Sequence, residues 1–209
     1  MNHMLGSRFD TIMDLFRCCP LCQVDPIQQH GVCHDCFERL PWFNQQITRH
    51  ELDIWAACHY DFPLDHVLQQ FKYHQALIYR RLLVGCLLQH PKPKVDAIVA
   101  MPISTARLAE RGYNQALILA QDLAVAYQLP IWQPIQRQHR VQQKMLDRSE
   151  RLDNLASAFQ IQTPLKSRYK RVLVIDDVVT TGSSLYYLHL QLQQLGCERI
   201  ILHCVAAAK

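Results

Sequence analysis

The stretch VLVIDDVVTTGSSL, residues 172–185, changes character twice. Val172–Ile175 is an unbroken aliphatic run, the pattern of a strand covered on both faces. Two adjacent acids, Asp176 and Asp177, close the run. Thr180, Thr181, Gly182, Ser183 and Ser184 then follow as small, mostly hydroxylated residues. Where a strand ends, both carboxylates can turn toward one crevice. There they can accept hydrogen bonds from two vicinal hydroxyls and favour positive charge developing on a sugar ring. The small residues lead into a helical pattern whose first amide hydrogens have no internal partner. Bare N–H groups, hydroxyls and a glycine that lets backbone approach closely suit a phosphate monoester. A ribose 5-phosphate held from both ends answers to both halves of the stretch. An ordinary strand-to-helix turn accounts for one acid and one hydroxyl and leaves the others unexplained.

Outward from this stretch, strand and helix patterns alternate. Trp55–Asp61 reads as a strand. Pro63 opens a helical stretch reaching Gln89, with Leu64, Val67, Leu68 and Phe71, and later Leu82 and Leu83, on one side. Val95–Met101 is a second buried apolar run, residues 116–129 form a helical pattern ended by Pro130, Ser183–Leu195 is a helix closed by Gly196, and residues 198–207 are a last strand. The alternation predicts an α/β fold: a parallel sheet with helices on both faces, its ligands beyond the carboxyl ends of the strands. The polar stretches after Met101 and after Ile175 both fall on that edge. Neither G-x-x-x-x-G-K-[ST] nor a G-x-G-x-x-G following a strand is present. A phospho-receiver domain, which also carries paired acids, needs more strands than remain after Asp177.

The chain has 209 residues, 49% of them hydrophobic and 19% charged, with a formal net charge of +4. That suits one full domain plus a small appendage, permits contact with phosphates, and excludes a disordered chain. No apolar run approaches the ~18 residues of a membrane span, and the N-terminus lacks the basic-then-apolar pattern of a secretory signal, so a cytoplasmic protein without a membrane span is expected. Nine cysteines then argue against a disulfide framework. Cys19-x-x-Cys22 and Cys33-x-x-Cys36, ten residues apart, can surround a zinc ion with four thiolates. Four thiolates leave no open position, so the metal is expected to be structural, supplying folding free energy that a short segment lacks. Cys18 is a spare, His34 an alternative to one sulfur, and Cys58, Cys86, Cys197 and Cys204 are expected in the core. Leu5, Phe9, Ile12 and Phe16 recur at helical spacing ahead of the cluster. Pro41 to about Arg49 reads as the exit from this module, giving residues 1–49 as helix and zinc module and residues 50–209 as the larger domain.

PISTARLAERGYNQ, residues 102–115, is a long polar connection for a compact α/β domain. Arg107 and Arg111 can clamp a pyrophosphate, Gly112 marks a place where backbone nears a ligand, and Tyr113, Asn114 and Gln115 can read a base or acceptor. A solvated helix start is the alternative. RQHRVQQKMLDRSERLDN, residues 137–154, carries Arg137, Arg140, Gln143, Lys144, Arg148 and Arg151. It can be a mobile flap over a polyanion, a groove for single-stranded nucleic acid, or an exposed helix paired through Glu150 and Asp153.

VLVIDDVVTTGSSL resembles the phosphoribosyl-diphosphate (PRPP) signature of type I phosphoribosyltransferases. With the cysteine module, YDFPLDHVLQQFKY, RLAERGYNQALILA and RSERLDNLASAF, nearly the whole chain resembles the ComF/GntX family. The resemblance implies a type I phosphoribosyltransferase-like sheet behind a four-cysteine zinc module, and a role in natural transformation or in the use of DNA as a nutrient. It implies that Asp176 and Asp177 meet the ribose hydroxyls of PRPP accompanied by Mg²⁺, and that Thr180–Ser184 hold the 5-phosphate. Residues 102–115 take the pyrophosphate side. Single-stranded DNA and competence proteins such as a DNA-translocating helicase are the partners it suggests. The family usually has a histidine where Ser104 stands, and a threonine where Arg140 stands. Lys72, in FKYH, lies in a matched motif, with an exposed helix lysine as its default reading. A transferase and a binding adaptor that grips a nucleotide or a DNA end without making bonds both fit these residues.

Overall fold

The computed structural model describes residues 18–138, 158–165 and 167–208. The aliphatic run of the opening stretch lies in β6 (Arg171–Val179), the second-last strand of a five-stranded sheet. Its neighbours are β3 (Ala97–Ala100) on one side and β7 (Arg199–Ala207) on the other, both parallel to it. Val172, Leu173, Val174 and Ile175 are fully buried, as a strand covered on both faces requires.

Beyond β7 lie β2 (Leu52–His59), also parallel, and β1 (Trp42–Arg49), antiparallel at the edge. The order β1-β2-β7-β6-β3 makes a mostly parallel sheet with one antiparallel hairpin. The stretch expected to be an exit, Pro41–Arg49, is thus largely an edge strand, and the sheet begins at Trp42. WFNQQITR has no fully buried residue, four of its eight being exposed, with polar Asn44–Gln46 in the middle and an irregular register between Trp42 and Gln45, so it lacks the apolar run of a buried strand.

Between β2 and β3 the helical pattern resolves into α2 (Leu64–Tyr73), a 3₁₀ turn (Leu77–Tyr79) and α3 (Arg80–Leu87). The expected helix from Pro63 to Gln89 is interrupted because Gln75 takes a left-handed φ of 52°. Leu64, Val67, Leu68 and Phe71 do form the buried stripe of α2. After β3 come α4 (Thr105–Arg111) and α5 (Gln115–Tyr127), then a small antiparallel pair, β4 (Ile135–Arg137) with β5 (Phe159–Ile161). The helix α6 (Ser183–Gln194) joins β6 to β7. The β2-to-β3 and β6-to-β7 connections cross the sheet in opposite directions. Right-handed crossovers therefore set α3 and α6 on opposite faces.

The cysteine module, with its short helix α1 (His34–Glu38), packs on α3. A Cβ at Gly85 would lie 2.4 Å from Cγ of His30, so glycine lets the module seat on the helix. Alanine favours a helix by about 1 kcal/mol over glycine, yet here overpacking costs about 1–3 kcal/mol. Gly85→Ala is therefore expected to lower the urea midpoint, and adding His30→Ala to restore it. A single variant as stable as the wild type would contradict the close approach.

Candidate functional site

Strand β3 stops at Ala100, opposite Ile175, while β6 continues alongside β7 to Val179. The acids therefore lie on a strand that has outrun its β3 neighbour. They lie longer inside β6 than expected, because Cys204–Ala207 of β7 still offer partners to Asp176–Val179. The step between the two strand ends opens a crevice of about 280 Å³. Asp176, Asp177 and every residue from Thr180 to Ser184 line it on one side, and Arg107, Arg111, Asn114, Gln115 and Arg137 line the other.

Each carboxylate uses one oxygen internally. Asp176 Oδ1 accepts from the Asp177 amide at 2.9 Å, and Asp177 Oδ1 from the Val178 amide at 2.6 Å. Lys72 Nζ stands 3.1 Å from that same Asp177 Oδ1. Among the described residues no hydrogen bond reaches Oδ2 of either acid, so each presents one acceptor oxygen to a ligand. Asp176 keeps an accessible edge, but protein surrounds it closely. Burial first and the Asp177 carboxylate second push it up to about 7, against the pull of Lys72 and the Asp177 amide.

The hydroxylated turn is shaped from behind. Gly182 has φ of 80°, and a Cβ there would lie 2.6 Å from Cβ of Arg49, so both backbone and neighbour require glycine. Arg49, at the end of β1, donates through Nε to the Thr180 carbonyl at 3.3 Å. His50 Nε2 lies 3.1 Å from Ser183 Oγ, which in turn lies 3.1 Å from Thr181 Oγ1. Gly182 caps α6 without a side chain; the Ser183 amide donates to Thr181 Oγ1 at 3.4 Å, and the next amides, of Ser184 and Leu185, are left to a ligand.

The other wall departs from the expectation of a loop. Residues 105–111 are the helix α4, capped by Ser104, whose hydroxyl accepts from the Arg107 amide at 3.4 Å. Gly112, at φ of 80°, closes that helix in the left-handed conformation. Arg111 donates to Gln115 Oε1 and to the Tyr73 hydroxyl, each at 3.2 Å, with its guanidinium 4.9 Å above the Tyr73 ring. Arg111 Nε and Gln115 Nε2 are buried with no hydrogen-bond partner, two donors facing a crevice that can supply acceptors. Tyr113 turns away from the crevice: its hydroxyl donates to the Phe71 carbonyl and its ring packs on Phe71. Asn114 caps α5 through Oδ1 and holds the Met101 carbonyl through Nδ2. Arg137 stacks over Phe159 and faces Asp176, with burial and the charge of Arg107 pushing it below its ordinary value. Arg140, Gln143, Lys144, Arg148 and Arg151, and the helical pattern from Leu5 to Phe16, lie outside the described residues.

Lys72, Arg49 and His50 had weak or no sequence signals. Lys72 sits one turn after Leu68 at the border of the buried stripe of α2, the position from which a long side chain can reach inward. Only the tertiary structure brings the β1–β2 tip to the turn.

The Sγ atoms of Cys19, Cys22, Cys33 and Cys36 lie within 4.8 Å of one another. Cys22 and Cys33 Sγ are 3.8 Å apart, matching the ~3.8 Å edge of a sulfur tetrahedron with metal–sulfur bonds of about 2.3 Å. The geometry fits a four-thiolate metal ion. Amides of Asp25 and Val24 pull Cys22 down to about 7, while burial pushes Cys33 and Cys36 up. Cys18 is exposed and outside the cluster, and His34 Nδ1 is 3.2 Å from Gln29 Nε2 instead. The other four cysteines are buried, as expected. Among the described residues no helix is long and apolar enough to cross a membrane.

No family model matches the chain. Competence protein F of Haemophilus influenzae is 29% identical over 187 residues, 84% of this chain and 78% of that protein. DNA utilization protein YhgH of Escherichia coli is 26% identical over 201 residues, 90% of this chain and 82% of that protein. Competence protein ComFC of Bacillus subtilis is 28% identical over 174 residues, 81% and 68% respectively. Over most of its length the chain is similar to these competence and DNA utilization proteins. A mostly parallel α/β sheet with a four-cysteine module stands on the strand order and the thiol cluster. Two solved structures overlay part of this chain. The glutamine PRPP amidotransferase of B. subtilis, complexed with ADP and GMP, does so at TM-score 0.43 and 14% identity, covering 60% of this chain and 25% of that one. The purine phosphoribosyltransferase of Pyrococcus horikoshii does so at 0.40 and 20%, covering 62% and 72%. Overlays this partial leave the chemistry of the crevice to its own residues.

The folded protein keeps the Asp176 proton up to about pH 7, whereas the unfolded chain releases it near its ordinary 3.8. The stabilising contribution of this group is thus complete below about pH 4 and is lost as pH rises toward 7. Asp176→Asn should therefore gain on the wild type in urea midpoint between about pH 5.5 and about pH 8. A constant difference across that range would show that the carboxyl is not perturbed.

Proposed function

We propose that this protein binds PRPP, or another ribose 5-phosphate compound, and acts in the uptake of DNA or the recovery of nucleotides from it. The carrying observation is that one crevice is lined by both the acid pair and the whole Thr180–Ser184 turn. The two Oδ2 atoms suit vicinal hydroxyls, the α6 amides and hydroxyls suit the 5-phosphate, and Arg107, Arg111 and Gln115 suit a diphosphate or acceptor on C1. The diphosphate brings its own Mg²⁺. The names of the relatives, competence protein F and DNA utilization protein YhgH, support the biological setting, and a cytoplasmic location accords with it. Single-stranded DNA and a DNA-translocating helicase are the partners we propose, with Arg137 and the basic segment after it on the DNA side.

In a transferase, an acceptor displaces pyrophosphate from C1 through an oxocarbenium-like state, which the acid pair favours electrostatically while the arginines neutralise the leaving group. In an adaptor the same contacts hold the ligand without bond-making. Calorimetric titration of PRPP into the wild type should show binding, weakened roughly tenfold or more in Asp177→Asn. Equal affinities would refute the reading. Incubation with PRPP and a panel of bases then separates the two forms: pyrophosphate release lost in Asp177→Asn indicates the transferase, and binding without release the adaptor.

The cysteine cluster is proposed to hold structural zinc, about one ion per chain. Cys36→Ser should abolish the metal content measured by atomic emission and expose residues 18–40 to proteolysis. A metal-free protein with the same protection would contradict this.

A further inference from the structure

Three successive residues at the end of α2 are each held by a partner from another element. The Phe71 carbonyl is held by the Tyr113 hydroxyl, Lys72 is paired with Asp177, and the Tyr73 hydroxyl accepts from Arg111. Lys72 is thereby fixed between anchors on either side. Its side chain is 17% exposed and that of Asp177 is 11% exposed, so the pair sits mostly out of water. Among the described residues four cations line the crevice, Lys72, Arg107, Arg111 and Arg137, against two carboxylates. A carboxylate pair that binds a divalent ion presents oxygens free of other cations, whereas here an ammonium already sits against Asp177. A dication would be repelled by that ammonium at a separation of about 4 Å, where such interactions are strong away from bulk water.

We propose that Lys72 is the resident counter-cation of the acid pair, occupying the place a divalent metal ion would otherwise take, so that a ribose 5-phosphate is gripped without metal. The inference rests on the ribose 5-phosphate reading of the crevice. It separates two roles of metal: any Mg²⁺ enters on a ligand's diphosphate, and none is held by Asp176 and Asp177. Lys72 is in this sense a positioning residue. It holds Asp177 through Oδ1, which leaves Oδ2 for the sugar, and a lysine ammonium has two further N–H donors to offer a ligand oxygen. Asp176, pushed up by burial and by Asp177, needs such a cation if both carboxylates are to serve together.

The test uses the full chain, in buffer freed of divalent ions by resin so that thiolate-bound metal stays in place. Mn²⁺, which prefers oxygen ligands to thiolates, is the metal probe, and ribose 5-phosphate, which has no diphosphate, is the sugar probe. The wild type is expected to take up no Mn²⁺ at the acid pair. It should bind ribose 5-phosphate with affinities agreeing within about twofold with and without Mg²⁺. Lys72→Met should lose roughly tenfold in metal-free buffer, recover most of it with Mg²⁺, and gain a Mn²⁺ site that disappears in Lys72→Met/Asp177→Asn. Lys72→Arg should remain metal-independent. Wild-type binding that requires Mg²⁺, or Lys72→Met binding as tightly as the wild type without metal, overturns the proposal. The wild-type measurements need no variant to fold. Absence of ribose 5-phosphate binding by the wild type in both buffers would overturn the ligand reading itself, a different result from binding that ignores Lys72.

Discussion

Two carboxylates stand on neighbouring residues at the step where one buried strand outlasts another, and burial together with the charge of Asp177 pushes Asp176 up to about 7. The rest of the crevice is arranged around that constraint. Lys72 comes from α2, Arg137 from β4, and Arg107 and Arg111 from α4, so elements far apart in sequence converge on one short segment of β6. Each acid also spends one oxygen on the next backbone amide, which fixes its rotamer and leaves the other oxygen outward. The acid pair is thus a rigid acceptor surface.

The turn that follows is held with comparable firmness, from outside. The β1–β2 tip places Arg49 and His50 behind Thr180–Ser183, and Gly182 is required both by its left-handed backbone and by the closeness of Arg49. The edge strand β1 has no fully buried residue, whereas β2 beside it places Ile54, Ala56, Ala57 and Cys58 in the core. Their hairpin serves as a buttress that keeps amides and hydroxyls pointed at the crevice. On the far wall, Tyr113 and Asn114 spend their polar atoms on the backbone of α2 and β3, and this frees Arg111 and Gln115 to present unpartnered donors.

What could be read in the sequence was local. The aliphatic run, the two acids and the hydroxylated turn declare their chemistry over fourteen contiguous residues, and the doubled Cys-x-x-Cys spacing declares the thiol cluster. Alternating apolar runs sufficed for a parallel sheet. The strand β1 escaped because polar Asn44–Gln46 interrupt its apolar residues at the sheet edge, and the helix α4 because a polar stretch before a glycine reads equally as loop or capped helix. Periodicity could place Lys72 beside a buried face, but not reveal that Asp177 lies opposite it. Tyr113 illustrates the converse. An aromatic with a polar tip beside a candidate site suggests a ligand contact, yet the Phe71 carbonyl claims its hydroxyl.

The crystal structure of the protein soaked with ribose 5-phosphate tests the central claim most directly. The account predicts the phosphate seated on the amides and hydroxyls of Thr181–Ser184, and the 2- and 3-hydroxyls donating to Oδ2 of Asp176 and Asp177, with Lys72 still against Asp177. A sugar phosphate bound elsewhere, or one that leaves both Oδ2 atoms to water, would contradict it.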